Sequence, residues 1–398
     1  MIWTAVLAGV AGLPALACLG AAVAFARGFR PVPGESVPGE SVPSLTMVVP
    51  VRGADVATGP NLEALVTSRV DVPVEYLVAM ESADDPAHEI AEQVRRRHPE
   101  ADVRVVITGP AGERMGKQHN LAAAARVARH DALGSMDADV RVGPGALAAA
   151  LRRLAAPDAG VAYLLPCYAG GGPAGGRLVA LYSNEYYQLN MGALALTRNA
   201  PFITGGLWLM SPSARERIGG PEPFTATISD DAAIGRAVVA AGLRTELVPQ
   251  PVTMAFEALD LTGGARHLLK WLTLLRAEGL PAFLAILVTW HPVLWGALAV
   301  ASAVAVPAAR PGLPVVAAVA VAGLLARLGA TAVLHRRALG GGTAAALALL
   351  VPYEIVAVPV LFARALFSRR LVWRGREYVI GRGGVIRSTR IVDADAGR

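Results

Sequence analysis

Two aspartates separated by one residue, Asp137 and Asp139, are the residues of this 398-residue chain whose types and spacing most clearly suggest a chemical role. They follow a short, weakly apolar run and precede a basic residue, Arg141. Carboxylate oxygens are the ligands that hard divalent cations prefer, and such a cation can in turn bind a diphosphate. The pair therefore predicts a Mg²⁺ or Mn²⁺ site, although aspartates also occur in ordinary turns because they cap local backbone groups.

A second acidic pair, Asp230 and Asp231, stands at the expected start of a helix that runs through Val238. Acidic side chains stabilise helix N-termini, so the pair taken alone is explained by helix capping. A carboxylate placed beside a metal-bound donor can also take the proton of an attacking hydroxyl. This interpretation makes Asp231 a candidate general base.

A third group combines cations with aromatic rings and contains His267, Lys270 and Trp271. Its pattern is typical of an amphipathic helix that lies on a membrane surface, and we predict such a helix over residues 261–279. The cations could also bind a leaving diphosphate, and Trp271 could form the floor of an acceptor site. The residues alone do not decide between these interpretations.

The composition indicates a protein that lies partly in lipid. Apolar residues make up 54% and charged residues 17% of the chain, against roughly 45–50% and 25% in soluble domains. No basic stripe is interleaved with aromatics, so we expect no nucleic-acid partner. Cys18 and Cys167 are the only cysteines, which excludes a disulfide framework and a thiolate metal site.

An N-terminal transmembrane anchor is predicted over residues 1–27, because no charged side chain precedes Arg27. Arg27 and Arg30 favour a cytoplasmic location for the chain that follows. A Pro/Gly linker with a tandem Val-Pro-Gly-Glu-Ser repeat is predicted over residues 28–44.

The C-terminal membrane region is predicted over residues 280–367, in three apolar segments: 280–309, 313–334 and 343–367. Three crossings here would put the basic tail, residues 368–398, on the side opposite to the one that its charge favours. Pro352, Glu354 and Pro359 interrupt the last segment, which is therefore a candidate for a re-entrant or interfacial helix. The sequence leaves the number of crossings open.

Residues 45–260 have the pattern of an α/β domain. Strands are predicted at 45–51, 74–80 and 102–107, and a fourth ends at Asp137, with helix-compatible stretches between them. This alternation predicts a mostly parallel sheet with its binding crevice at the carboxyl ends of the strands. The polar clusters follow these strand ends, so we expect them to lie close together.

In this order, between an N-terminal anchor and C-terminal membrane helices, the motifs resemble those of membrane-bound family 2/21 type glycosyltransferases. They resemble more closely the ceramide glucosyltransferases and the bacterial hopanoid-associated glycosyltransferases. The resemblance covers most of the chain and is carried by five elements: 49–55 with Asn61-Leu62, 84–87, 116–121, 204–210 and 373–378.

The resemblance implies an α/β fold of the GT-A type and an inverting enzyme that moves a hexose from a UDP-sugar to a membrane lipid hydroxyl, as in ceramide-type glycolipid synthesis. Asp137 and Asp139 are then the metal ligands, and Asp231 is the catalytic base. The enzyme is expected in the cell inner membrane, multi-pass, with its catalytic domain cytoplasmic. The residues expected to bind the donor are Pro50, Arg52, Asp55, Asp85, Lys117, Asp137, His267, Lys270 and Trp271.

The chain departs from the family pattern in places. His267 and Lys270 replace a glutamine or arginine and an arginine, and a lysine lacks the planar two-pronged grip of arginine. Any of Glu81, Asp84 or Asp85 could be the nucleotide-binding carboxylate of the first acidic region.

The glycine-rich stretch 170–176 is predicted to be a mobile loop over the active site. Three alternative functions remain open. They are an N-acetylglucosaminyltransferase acting on a hopanoid or another lipid, a processive polysaccharide synthase, and a non-catalytic membrane scaffold.

Overall fold

The structure, a computed structural model, describes residues 1–30, 42–196, 200–255 and 258–392. The tandem repeat of the predicted linker and the end of the predicted tail lie outside these residues. The described chain forms two compact units. We call the first, residues 1–30, 170–194 and 258–369, the helical unit, and the rest the α/β unit.

Eleven strands are present in the described residues, and they form two sheets. The eight-stranded sheet has the order β3-β2-β1-β4-β7-β6-β8-β5, and β9 to β11 form a separate antiparallel sheet. The strands are β1 Leu45–Pro50, β2 Val74–Met80, β3 Asp102–Ile107, β4 Ala132–Met136, β5 Val140–Arg141, β6 Ala159–Tyr168, β7 Leu207–Met210, β8 Arg244–Met254, β9 Arg370–Trp373, β10 Arg376–Ile380 and β11 Ile386–Ile391.

The helices fall into both units. Short π-helical segments at Tyr182–Gln188, His335–Leu339 and Tyr353–Ala357 continue α6, α13 and α14, and 3₁₀ turns lie at Glu222–Phe224, Pro307–Gly312 and Arg382–Gly384. The α-helices are α1 Ile2–Gly28, α2 Thr58–Val66, α3 Ala87–Arg97, α4 Gly116–Ala125, α5 Ala146–Leu154, α6 Ala174–Leu181, α7 Leu189–Ala195, α8 Pro212–Ile218, α9 Asp230–Ala240, α10 Leu261–Glu278, α11 Leu280–Thr289, α12 Pro292–Ala305, α13 Leu313–Leu334, α14 Thr343–Pro352 and α15 Val358–Phe367.

The first half of the large sheet has the predicted architecture. β2 and β3 have the predicted bounds, β1 ends one residue early, and β4 ends directly before Asp137. All residues of β1 and β4 are buried, as expected for strands covered on both faces. β1 is parallel to both β2 and β4, so their carboxyl ends share one edge of the sheet, and the strand order reverses between β1 and β4.

The second half of the large sheet contains antiparallel pairs that the alternation of strands and helices did not indicate. β7 lies antiparallel between β4 and β6, and β6 is parallel to β8. Within β4, a side chain on Gly134 would lie 2.6 Å from Leu209 of β7, so close packing requires glycine there. β7 therefore joins the parallel strands to the rest of the sheet.

Three helices of the helical unit pack in an up-and-down arrangement. α1 and α13 are parallel: Gly12 lies beside Val319, and Gly323 beside Ala15. α12 is antiparallel to α13, since its Gly296 lies beside Ala320. Small residues at these contacts let the helix backbones approach closely, as in membrane bundles.

Three helical segments of the described chain are long and apolar enough to span a membrane: Ile2–Gly28, Pro307–Leu339 and Thr343–Phe367. The predicted 280–309 segment is instead a bent pair, because α11 and α12 meet at 73° around Trp290 and His291. The predicted break at Arg310-Pro311 lies in the 3₁₀ turn between α12 and α13, where the chain reverses direction.

The carboxylate of Glu354 binds backbone N–H groups at the bend between α11 and α12. The Val293 and Leu294 N–H groups, at the start of α12, donate to Glu354 Oε2 at 2.8 and 3.0 Å. Tyr186 donates its hydroxyl proton to the other oxygen at 3.0 Å. These amides lack partners within their own helix, so Glu354 satisfies polar groups that would otherwise be buried unpaired.

Arg327 of α13 is fully buried although it carries a charge. Its guanidinium donates to the Glu185 carbonyl oxygen at 2.6 Å and lies 4.6 Å from the centre of the Tyr186 ring. His335 lies 2.7 Å from a Glu185 carboxylate oxygen. The charge is thus neutralised inside the unit, as the cost of burial requires.

Candidate active site

The Asp-x-Asp turn directly after β4 is held by its backbone. The Asp137 N–H donates to the Gly206 carbonyl at 2.9 Å, and the Val140 N–H donates to the Asp137 carbonyl at 3.0 Å. Asn61 of α2 donates to the Ala138 carbonyl at 3.0 Å. With the backbone fixed from three sides, the half-buried carboxylates keep a defined direction at the edge of the sheet.

Lys117, in the first turn of α4, joins the two acidic pairs. Its Nζ lies 2.6 Å from Asp137 Oδ1 and 3.6 Å from Asp230 Oδ2. Burial opposes the charge, but Asp137, Asp230 and Asp231 together hold the pKa of Lys117 above its ordinary value. The lysine is therefore a fixed positive charge among three carboxylates from distant parts of the chain.

The environment of Asp137 favours an added positive charge. Burial raises the pKa of Asp137 to about 6, and the neighbouring Asp139 and Asp230 carboxylates add to this rise against the opposing effect of Lys117. A raised carboxyl pKa means that the surrounding positive charges and hydrogen bonds do not fully offset the cost of burying the ionised carboxylate.

Asp230 and Asp231 occupy different surroundings although they are adjacent in α9. Asp230 is buried and accepts a hydrogen bond from Gln118 of α4. Asp231 is half-buried, and one of its oxygens accepts the Ala232 N–H at 2.8 Å. A Cβ placed on Gly205 would lie 3.8 Å from Asp231 Oδ2 and 3.5 Å from Lys117 Nζ, so Asp231 faces the same space as the lysine.

The predicted donor residues after β1 and β2 shape their own loops. Asp85 accepts the Gly53 N–H with both oxygens, at 3.1 and 2.9 Å. Asp55 accepts the N–H of Thr58 at 2.9 Å and so closes the start of α2. Pro50 is the last residue of β1, and Arg52, two residues later, lies 3.6 Å from Glu81. These side chains form the rim of the same strand edge.

His267, Lys270 and Trp271 lie on α10, which belongs to the helical unit. The Trp271 ring packs edge-on against the His267 ring at 4.6 Å and lies 6.1 Å from the Tyr182 ring. The glycine-rich stretch is not only a loop, as it was predicted to be, because α6 begins at Ala174. A Cβ on Gly175 would lie 2.7 Å from the Leu259 carbonyl oxygen, so this glycine serves close helix packing.

A divalent metal fits the chemistry of the Asp137 and Asp139 side chains, although no group of three or more candidate ligands is assembled among the described residues. Two half-buried carboxylates supply hard oxygen donors, and a cation of this class takes its remaining ligands from phosphate and water. Asp137, Asp230 and Asp231 lie around the single charge of Lys117, so this edge of the sheet has room for a further positive charge.

Several contributors were not identified from the sequence as site residues. Gln118, Gly206 and Asn61 hold Asp230 and the Asp-x-Asp turn, and Arg376 contacts Glu81. All four lie in the quoted elements, so their positions were visible although their partners were not.

Comparison with solved structures identifies the architecture. The mannosyltransferase PcManGT from Pyrobaculum calidifontis, solved with GDP-Man and Mn²⁺, matches with a TM-score of 0.51 and 22% identity over 90% of this chain and 98% of that one. GalNAc-T7, solved with UDP, GalNAc and Mn²⁺, matches with a TM-score of 0.39 and 12% identity over 55% of this chain and 44% of that one. The likeness to the first confirms the predicted GT-A fold.

The family is decided by sequence. The family described as Glycosyl transferase family 21 matches residues 9–386, which include both units and most of the C-terminal sheet. The predicted enzyme class and the predicted relationship to ceramide glucosyltransferase-like proteins are thereby confirmed. This chain belongs to glycosyl transferase family 21.

Proposed function

We propose that this glycosyltransferase moves a hexose from a UDP-sugar to a hydroxyl of a membrane lipid, with inversion at the anomeric carbon. The observation that carries the proposal is the convergence of Asp137 and Asp231 around Lys117 where β1 and β4 end. Open α/β sheets bind ligands at such a reversal of strand order. The nucleotide-sugar and Mn²⁺ named for the similar mannosyltransferase support a donor of this class.

In this proposal Asp137 and Asp139 would hold Mg²⁺ or Mn²⁺, which supplies Lewis-acid stabilisation to a diphosphate. Lys117 compensates the negative charge that remains, because its ammonium lies between the two acidic pairs. Arg52 and Asp85 organise the loops that face the nucleotide. We assign Pro50, Asp55, His267, Lys270 and Trp271 as further donor contacts on the family resemblance.

Asp231 would act as the base. It removes the proton of the lipid hydroxyl, whose oxygen forms a bond to the anomeric carbon while the bond from that carbon to the diphosphate oxygen breaks. The electron pair of the broken bond leaves with UDP, and attack opposite the leaving group gives a β-linked product. Asp231 is half-buried beside Lys117, so its carboxylate lies at the edge of the sheet where a base for the attacking hydroxyl is needed.

We also propose a three-crossing topology. α1 and α13 are parallel, so the ends that carry Arg27 and Arg336 lie together, and Ala26 lines a common cavity with Arg336 and Arg337. The chain enters the α/β unit from this end of α1. The positive charges make it the cytoplasmic end, which puts catalysis on the cytoplasmic side of the inner membrane.

The path of the remaining segments follows from this arrangement. The α11–α12 pair must cross, because it leads to the other end of α13, where Gly312 lies beside Thr4. Thr343–Phe367 begins at the cytoplasmic end and leads into β9 of the α/β unit. We propose that this segment is re-entrant, because Pro352, Glu354 and Pro359 interrupt it, and a segment that returns to the side where it began removes the parity conflict of the sequence.

The topology can be tested with single cysteines, because both native cysteines are buried. In sealed inverted vesicles, a membrane-impermeant maleimide should label Gly341→Cys and Ser388→Cys but not Ala308→Cys. Labelling of Ala308→Cys in intact inverted vesicles, or protection of Ser388→Cys, would contradict three crossings.

The chemistry is tested with purified enzyme, labelled UDP-glucose, UDP-galactose, UDP-N-acetylglucosamine and UDP-glucuronate, and a panel of lipid alcohols. We expect label in the organic phase only when a divalent metal is present and not after EDTA. Asp231→Asn should lower kcat by about 10²–10⁴-fold while UDP binding persists. Asp158→Asn, which changes an exposed carboxylate paired with Arg244, is the matched control. Wild-type turnover by Asp231→Asn would sink the proposal.

A further inference from the structure

The C-terminal three-stranded sheet carries a buried arginine into the α/β unit. β9 and β10 are joined by Arg374 and Gly375, both in the left-handed region with φ of 49° and 71°. A two-residue turn of this kind matches the twist of a tight hairpin. It makes Arg376 the first residue of β10, where the side chain is only 6% exposed.

Arg376 binds a carboxylate at the end of β2. Its two terminal nitrogens donate to the two oxygens of Glu81 at 2.9 and 2.7 Å, a two-pronged pairing that fixes direction as well as distance. Glu81 also accepts the Ala111 N–H at 3.0 Å and lies 3.6 Å from Arg52. Through Glu81, the C-terminal sheet thereby holds the loop that contains Arg52 and the loop that contains Ala111, both of which line the proposed donor site.

The same arginine reaches the start of α4. A Cβ on Gly116 would lie 2.5 Å from an Arg376 nitrogen, so the guanidinium lies directly against this glycine. Burial raises the pKa of Tyr378, two residues along β10, and the nearby Arg376 guanidinium and Gly116 N–H oppose this rise. That amide belongs to the first turn of α4 and has no partner inside the helix. Arg376 and Tyr378 therefore lie against the N-terminal end of α4.

The residues that follow Gly116 contact the acidic pairs. Lys117 reaches Asp137 at 2.6 Å, and Gln118 donates to Asp230. Because they are adjacent to Gly116 in one helical turn, a displacement of that turn moves both contacts.

The sheet also braces the segment before the candidate base. The Ile386 N–H donates to the Ala226 carbonyl at 2.9 Å, and the Ile228 N–H donates to the Gly384 carbonyl at 2.9 Å. α9 begins two residues after Ile228, at Asp230. The C-terminal sheet thus contacts the chain immediately before Lys117, at Gly116, and shortly before Asp230, at Ile228.

We propose that Arg376 is a positioning residue of the transfer reaction, acting through Glu81 and the first turn of α4 on Lys117 and the donor loops. This inference rests on the proposed donor site. It predicts that losing Arg376 weakens donor binding specifically, since the acceptor hydroxyl is handled by Asp231. Residues that orient a site from behind are typically worth about 10–100-fold in binding or activity.

The experiment measures the full-length enzyme with Arg376→Met and Arg376→Lys, and with Glu81→Gln as a second way to break the pair should Arg376→Met fail to fold. Arg390→Met removes an exposed arginine that pairs with Glu377 in the same sheet, and is the matched control. We expect Arg376→Met to raise the KM for the UDP-sugar and the calorimetric Kd for UDP about tenfold or more, with the KM for lipid unchanged. Arg376→Lys should restore part of the loss, because it keeps one charged donor.

Glu81→Gln added to Arg376→Met should have little further effect, because the two act as one pair. Unchanged donor KM and UDP Kd in both Arg376→Met and Glu81→Gln would overturn the inference, even if the melting temperature fell. Asp231→Asn, measured in parallel, distinguishes a failure of the proposed function from a failure of the positioning role alone. If it retains turnover, the proposed function fails; if it is inactive while the Arg376 and Glu81 variants bind donor normally, only the positioning role fails.

Discussion

Replacing Gly235 by alanine tests whether the placement of α9 controls catalysis. Gly235 lies four residues after Asp231, hence about one helical turn further along α9. A Cβ at this position would lie 2.6 Å from both the backbone nitrogen and the carbonyl carbon of Phe202. Ordinary contact begins at 3.4 Å, and backbone atoms cannot rotate away. The Phe202 Cα would be closer still, so the helix must move from Phe202 by about 1 Å.

Such a shift should affect rate far more than stability. Overpacking costs about 1–3 kcal/mol, and the better helix propensity of alanine returns up to about 1 kcal/mol. The melting temperature should therefore fall by only a few degrees. A misplacement of about 1 Å at a reacting group, in contrast, can lower the rate about 10²-fold. We expect kcat to fall by about that factor, while the KM for the UDP-sugar changes less than threefold.

The assay is steady-state transfer to lipid in detergent, with thermal unfolding measured on the same samples. Gly143→Ala is the control, because a Cβ at Gly143 meets no atom within 4 Å. If Gly235→Ala keeps kcat within twofold of Gly143→Ala, the position of Asp231 does not limit the reaction. A donor KM that rises in proportion to the fall in kcat would instead show that α9 serves donor binding.

Three further perturbations have defined outcomes. Lys117→Met leaves Asp137 and its neighbours uncompensated and should cost about 3 kcal/mol in thermal unfolding, with Lys117→Arg much closer to wild type. Glu354→Leu strands two helix N–H groups and should lower stability by about 2–3 kcal/mol, whereas Glu354→Gln, which keeps one acceptor, should lose less. Burial opposes ionisation of Glu75, but Arg129, Arg104 and Thr46 hold its pKa below the ordinary 4.5. Stability should therefore fall as the pH drops below about 4.5, and Glu75→Gln should flatten that decline.

The parallel half of the sheet was predictable from the sequence because its signals are local. β1, β2 and β3 are apolar, β-branched runs with polar residues at both ends, and β1 and β2 run through the core while β3 lies at the edge of the sheet. The carboxyl ends of parallel strands share an edge, so the meeting of Lys117 with Asp137 follows from topology alone. The antiparallel insertion of β7 has no comparable local signal, since LWLM reads equally as a buried helix segment.

The sequence did not predict the C-terminal sheet, because a charged residue at a buried position obscures the alternation of buried and exposed residues in its strand. Arg376, Tyr378 and Ile380 are the buried positions of β10, and one of them is an arginine. A buried arginine in a strand is expected only when a carboxylate meets it, and Glu81 lies almost 300 residues earlier. The pattern was therefore interpreted as a solvated basic tail. Likewise, the bend between α11 and α12 depends on Glu354, which no local pattern connects to Val293.

The Gly205-Gly206 pair illustrates why the sequence could predict the acidic residues of the site but not how the backbone positions them. The Gly206 carbonyl accepts the Asp137 N–H, and the Gly205 carbonyl lies 3.4 Å from Lys117 Nζ. A Cβ on Gly206 would lie 2.7 Å from Pro166 of β6. Glycine is needed at position 206 because β6 approaches it closely, whereas a Cβ at Gly205 would make only ordinary contacts with Lys117 and Asp231. In the proposed mechanism the acidic residues supply the chemistry, and the close approach at Gly206 fixes the backbone that holds Asp137.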